Sequence, residues 1–163
     1  MRIDLVADIK SRLRKALRSA GRREIGGMLF AEQLAPNCFR VLDFSIDLHS
    51  GSHTNFRRDP AVHKHALDAF FERTGSDFPR FNYLGEWHSH PSMSVHPSSE
   101  DIATMTELVS DDRNNISFAV LLIVRLRLHT WLDHSWTIFS RGYHPQAVRP
   151  ISYVGSALKQ NRH

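Results

Sequence analysis

The chain has 163 residues, 41% of them apolar and 23% charged, which suits one domain with a self-sufficient core and excludes a disordered or disulfide-stapled protein. Its single cysteine, Cys38, rules out an intrachain disulfide and fits a reducing cytoplasm. The net charge of +4 and pI near 9.6 raise nucleic acid as a partner, but the arginines are spread along the chain, so solvated basic faces are expected rather than a nucleic-acid groove.

Residues 3–19 place Val6, Ile9, Leu13, Ala16 and Leu17 on one stripe, with Lys10, Arg12, Arg14, Lys15 and Arg18 opposite. This spacing predicts an amphipathic helix stopped by Gly21. Glu24 follows, at the start of a strand predicted over 25–32, where Gly26 and Gly27 predict a close approach of another backbone. The alternating stretch from Phe39 to Leu48 is the next strand, expected to pair with the first, and Cys38, in the same alternating stretch, reads as a buried structural thiol. The segment His49 to Arg58 reads as a loop; its arginines and Phe56 make it a candidate for gripping an extended substrate tail. Asp59 and Pro60 then open a helix as cap and first position, with Val62, Leu67, Phe70 and Phe71 toward the core and Gly75 at its end. His63 and His65, two apart on that helix, diverge and make a poor metal pair.

Phe81 to His90 reads as a strand with Leu84, Glu86, His88 and His90 on one face. Pro91 ends it, 92–97 is a loop, and Ser98 begins a helix to about Ser110 with Ile102, Met105, Leu108 and Val109 facing inward. Ile116 to Val124 is nearly all apolar, as a strand covered on both faces requires. Arg125 to Trp131 alternates like a further strand, and Ser135 to Phe139 is a short one. The longest apolar run, Phe118 to Val124, is too short to span a bilayer, and the N-terminus lacks the apolar core of a signal peptide, so a cytoplasmic protein without membrane partners is expected. The order of strands and helices predicts an α/β sandwich or α+β domain occupying 1–163 as a single unit.

The chemistry is concentrated in Glu86-Trp87-His88-Ser89-His90-Pro91 and the following Ser98-Ser99-Glu100-Asp101. Two histidines separated by one residue on a strand point their imidazoles the same way, as two ligands of one ion must. A carboxylate at the start of the next helix can be the third ligand. Zinc accepts such nitrogen and oxygen donors and keeps a fourth position for water, whose pKa it lowers to about 7. Hydrolysis also needs a carboxylate outside the ligand set to carry a proton. Spacing leaves that base open between Glu24 and Glu86, and leaves the third ligand open between Asp101 and His96. Ser98 and Asp101 also spell a helix capping box, which alone would explain both.

The run His-Ser-His-Pro followed by Ser-x-x-Asp, with ten residues between His90 and Asp101, resembles the motif of the JAMM (JAB1/MPN/Mov34) zinc metallopeptidases. Glu24 before its short apolar strand is similar to that family's upstream glutamate. The resemblance extends from the first helix to about residue 140. It implies an α/β, cytidine-deaminase-like JAMM domain with a mixed central sheet flanked by helices. It also implies one Zn2+ held by His88, His90 and Asp101, Glu24 as general acid/base, Ser98 as oxyanion donor, and Ser89 and Pro91 as framework. The implied activity is hydrolysis of the amide bond after the C-terminus of a ubiquitin-like protein. With Glu86-Trp87 before the first histidine and no long insertion after Asp101, the chain looks less like eukaryotic deubiquitinases than like prokaryotic JAB peptidases. Some of those accompany E1-like and E2-like proteins in antiphage operons such as CBASS, which makes such proteins expected partners. Processing of a sulfur-carrier protein, and a non-catalytic scaffold domain, are the alternatives the resemblance leaves.

Overall fold

The computed structural model describes the backbone of residues 1–47 and 60–148 and the side chains of 1–47 and 63–148. The predicted loop His49 to Arg58, the Asp59 cap, the Val62 side chain and the segment after Pro150 lie outside these residues. The element order is β1 (Arg2–Leu5), α1 (Ala7–Ala20), β2 (Gly26–Ala35), β3 (Cys38–Phe44), α2 (Pro60–Arg73), β4 (Phe81–Ser89), α3 (Ser99–Ser110), β5 (Phe118–Arg127), β6 (Trp131–Ser140) and β7 (Gln146–Ala147). Among the described residues the strands form one mixed sheet in the order β1-β3-β2-β4-β5-β6-β7, giving a mixed α/β architecture. β1 runs parallel to β3 and β4 parallel to β5; the other neighbours are antiparallel. No helix of the described residues is long and apolar enough to cross a membrane.

The sheet is covered on both faces, which is why β5 is apolar at nearly every position. Val120, Leu122 and Val124 join the larger core with Ile9, Leu13 and Leu17 of α1 and with Trp87 of β4. Ala119, Leu121 and Ile123, the alternate set, pack with Met105, Leu108 and Val109 of α3. On β2, Phe30 stacks on Phe70 of α2 with ring centroids 5.1 Å apart. Burial of these large side chains supplies the driving force for the layered arrangement, at roughly 1.5–3 kcal/mol for each fully buried one.

Several expectations change. Cys38, the first residue of β3, is half-buried rather than buried. The helix predicted over 3–19 begins only at Ala7, because Ile3 and Leu5 instead alternate into the core as the edge strand β1. The basic face of α1 is not simply solvated. Arg12 donates to Asp43 Oδ1 at 2.6 Å, and Arg14 and Arg18 donate to the carbonyls of Thr130 and His129 at 3.1 Å each. Those carbonyls belong to the β5–β6 turn, where Leu128 and His129 both adopt left-handed backbone angles, with φ of 48° and 58°. That turn interrupts the strand predicted over 125–131: β5 ends at Arg127 and β6 begins at Trp131.

Candidate metal centre

The site forms where the C-terminal end of β4 meets the start of α3. β4 is not a simple period-two strand. Its register with β2 slips between Leu29 and Phe30, so that Gly85 faces Leu29 and Tyr83 faces Phe30, leaving Leu84 as the extra residue. Leu84 therefore packs in the α1-side core with Trp87, while Tyr83 packs on the α3 side. The expectation that Leu84 shares a face with Glu86 and His88 fails at this bulge. Beyond it the alternation holds: Glu86 and His88 lie beside Leu121 and Ile123 in the parallel register, on the face that α3 covers.

His88 and His90 are both buried, and their Nε2 atoms lie 3.0 Å apart. Asp101 brings Oδ1 to 3.3 Å from His88 Nε2 and Oδ2 to 3.7 Å from His90 Nε2. Together they are the group of His, Cys, Asp and Glu side chains, among the described residues, that could hold a metal ion. The fit is quantitative: ligands about 2.0–2.1 Å from an ion at tetrahedral corners sit about 3.3 Å from one another. The imidazole–imidazole–carboxylate donor set is also one that zinc takes.

Two of the three ligands are held from outside. His90 directs Nδ1 at the carbonyl of Ser94, 2.7 Å away, which leaves Nε2 facing the other two ligands. Burial depresses the His90 pKa and His88 adds to this, with the Ser94 contact and Asp101 opposing, so the imidazole favours the neutral form that binds metal. Asp101 is fixed by the capping box of α3: its Oδ2 accepts from the Ser98 amide at 2.7 Å and the Ser98 hydroxyl at 2.8 Å, while its own amide donates to Ser98 Oγ at 3.1 Å. Burial alone would raise the Asp101 pKa, but the hydrogen bond and charge of His88 and the bonds from Ser98 bring it down to about 2. The capping box and the ligand position are thus one feature, with Oδ2 tied to the cap and Oδ1 nearest His88.

Glu24 is brought to this group by β2. Gly26 lies opposite His88, and a Cβ there would stand 2.4 Å from the Trp87 carbonyl oxygen and 2.9 Å from the His88 Cβ. Only glycine permits that approach. Ser89 completes the attachment, its hydroxyl accepting from the Ile25 amide at 3.0 Å and its amide donating to the Ile25 carbonyl at 2.8 Å. Ser89, between the two histidines, therefore ties their strand to the residue next to Glu24. Glu24 is 5% exposed; burial raises its pKa, His88 opposes, and the charges of Asp101 and Glu100 raise it further. Its rival, Glu86, is also buried and accepts a hydrogen bond from the Tyr83 hydroxyl at 3.3 Å.

The remaining sequence candidates separate from the centre. His96 is exposed and outside the metal-capable group. His65 is exposed, whereas His63 is fully buried with Nδ1 2.8 Å from Ser45 Oγ, so the two do diverge. Ile102, expected in the core, is 39% exposed because it lies beside Asp101 in the turn of α3 that reaches the end of β4. Sequence reasoning missed Ser45. Its hydroxyl also accepts from the Met28 amide at 2.8 Å and its carbonyl from Trp87 Nε1 at 2.9 Å, tying β2, β4 and α2 together beneath the site.

Comparison with known proteins bears on this geometry. The solution structure of a protein from Desulfitobacterium hafniense superposes with a TM-score of 0.67 at 20% identity, covering 93% of this chain and 92% of the other. A solution structure from Salinibacter ruber gives 0.59 at 18% identity, with 94% of each chain covered. At such identities the likeness speaks for the fold. No curated protein matches the chain. The family described as prokaryotic homologues of the JAB domain matches residues 6–139, the span that carries Glu24, His88, His90, Ser98 and Asp101, and to that family this chain belongs.

Proposed function

We propose that the chain is a zinc-dependent isopeptidase of the JAMM type, acting in the cytoplasm as one cytidine-deaminase-like domain over 1–163. Its substrate is the amide bond after the C-terminus of a ubiquitin-like protein, or of a protein conjugated in that way, in bacterial antiphage deconjugation with E1-like and E2-like partners. The observation that carries the reading is the convergence of His88, His90 and Asp101 at separations of 3.0, 3.3 and 3.7 Å.

Zinc held by His88, His90 and Asp101 would supply a water of lowered pKa and a Lewis acid for the substrate carbonyl. Glu24, outside the ligand set and with its pKa raised by burial, holds the proton taken from the attacking water and delivers it to the departing amine. Ser98 contributes a hydroxyl donor to the developing oxyanion, which requires that hydroxyl to turn from Asp101 Oδ2. Burial of Glu24, His88 and His90 keeps these groups out of bulk water, where such charge interactions would be weaker.

The test uses the full chain, its zinc content, and cleavage of a ubiquitin-like protein fused or conjugated through its C-terminus. Glu24→Gln should keep the metal and lose about 10²–10⁴-fold in rate, the contribution of a positioned acid/base. His88→Ala should lose metal and activity together. Wild-type rates in Glu24→Gln would remove Glu24 from the mechanism. A wild-type chain that takes up no zinc would turn the reading toward a non-catalytic scaffold, and cleavage confined to sulfur-carrier substrates toward sulfur-carrier processing.

A further inference from the structure

We propose that Arg125 and Ser135 are positioning residues for His90, acting through the loop 92–97. This rests on the reading of His90 as a metal ligand. Three consecutive carbonyls of the loop are each taken by a side chain, from β5, from the residue that follows β4, and from β6. The Met93 carbonyl accepts from Arg125 Nη1 at 2.9 Å, the Ser94 carbonyl faces His90 Nδ1 at 2.7 Å, and the Val95 carbonyl accepts from the Ser135 hydroxyl.

The topology makes this clamp. β4 and β5 run parallel with Ser89 beside Val124, and the His90 amide donates to the Val124 carbonyl at 2.9 Å. Arg125 is the next residue of β5, two beyond Ile123, which packs against α3; it therefore emerges on the sheet face that carries His88. On β6, Ser135 pairs with Ile123 and Asp133 with Arg125. Asp133 Oδ2 accepts from Arg125 Nη2 at 3.0 Å, which sets the guanidinium plane and leaves Nη1 for Met93.

The loop needs such anchors. Ser92, Met93, Ser94 and His96 are exposed, and the loop belongs to no helix or strand. Its apolar anchor is Val95, half-buried against the α3-side core, and side-chain hydrogen bonds hold the carbonyls on either side of Ser94. The Ser94 carbonyl determines which ring nitrogen of His90 carries hydrogen. With hydrogen on Nδ1, the Nε2 lone pair faces His88 and Asp101; if the carbonyl moves away, the ring is free to exchange tautomers or rotate, and the ligand atom is lost part of the time.

The experiment compares wild type with Arg125→Ala, Ser135→Ala and Ser135→Thr, and with Arg141→Ala as a control. Arg141 makes a similar clamp away from the site, donating to the Val109 carbonyl at 2.9 Å and to Asp112 at 2.6 Å. Zinc affinity is measured by competition with a chromophoric chelator, well below each variant's unfolding temperature. Arg125→Ala and Ser135→Ala should bind zinc about tenfold to a hundredfold more weakly, the effect of losing support behind a ligand. Ser135→Thr, which keeps the hydroxyl, and Arg141→Ala should bind as wild type does. In the metal-free protein, nitrogen-15 spectra of the His90 ring should show the Nδ1–H tautomer in wild type and a mixture in the two weakened variants. Wild-type affinity and a single tautomer in Ser135→Ala and Arg125→Ala would overturn the proposal, as would equal weakening in Arg141→Ala. If wild type takes up no zinc, the hydrolase reading fails, while the tautomer of the metal-free protein still decides the clamp.

Discussion

Replacing Gly26 by alanine tests how the site is assembled. Alanine at an ordinary strand position would be expected to stabilise by about 0.5–1 kcal/mol, because glycine loses more chain entropy on folding. Here the added carbon would stand 2.4 Å from the Trp87 carbonyl oxygen and 2.9 Å from the His88 Cβ. Ordinary contacts begin near 3.4 Å, so one strand must retreat by about 0.5–1 Å. Trp87 is fully buried, its indole donating to the Ser45 carbonyl at 2.9 Å and its ring meeting Phe44 edge-on, so β4 resists the shift. The retreat falls on the start of β2, carrying Glu24 away from His88. Overpacking of this kind costs about 1–3 kcal/mol, which outweighs the entropic gain. In a domain of this size each kcal/mol lowers Tm by roughly 2–4 °C. A displacement near 1 Å at a catalytic group costs about a hundredfold in rate. Thermal unfolding of the metal-free variant should therefore show a Tm several degrees below wild type, and cleavage of a ubiquitin-like conjugate should fall about a hundredfold with zinc still bound. A Gly26→Ala protein with wild-type Tm and rate would refute the claim that this contact places Glu24.

Ser89→Ala strips the Ile25 amide of its partner in a buried position, and urea unfolding should report a loss of about 1–3 kcal/mol. Ser45→Ala removes the acceptor of the Met28 amide and the partner of His63 Nδ1 together; its denaturation midpoint should drop at least as far as that of Ser89→Ala. The folded-state pKa of Asp101 is about 2, below its ordinary value, so the stability this carboxylate contributes is fully present above about pH 4 and is lost as pH falls toward 2. In the metal-free protein, Asp101→Asn should flatten the stability profile across that window, and a wild-type pH profile in the variant would show that the carboxylate is not held as described.

Much of the site was legible in the sequence because its signals are local. His88 and His90 share a strand face by the period of two, and Ser98 and Asp101 share a helix start by the capping box, so spacing alone brings each pair together. The β5 run was legible as doubly covered because its residues are apolar at consecutive positions. The edge strand β1 was not, since Ile3 and Leu5 fit a helical stripe as well as an alternating one until β3 is there to pair with them. The bulge at Leu84 was also invisible, because register belongs to a pair of strands. The β5–β6 turn was hidden because Leu128 and His129 carry left-handed angles without being glycine, held there by Arg14 and Arg18 from a distant helix.

By itself the sequence determined the kinds of chemistry present and their local pairing: two imidazoles on one strand, a carboxylate at a helix cap, and a glutamate before a glycine pair. Only the tertiary structure decided that these three segments meet. Glu24 and His88 are separated by 64 positions of chain, as are Ile25 and Ser89, and what joins them is the β2–β4 register. That register depends on a glycine small enough to let the two backbones touch and on a buried serine that ties them. The physical reason is that spacing along a chain fixes direction within one element, whereas distance between elements is set by packing, which no single segment contains.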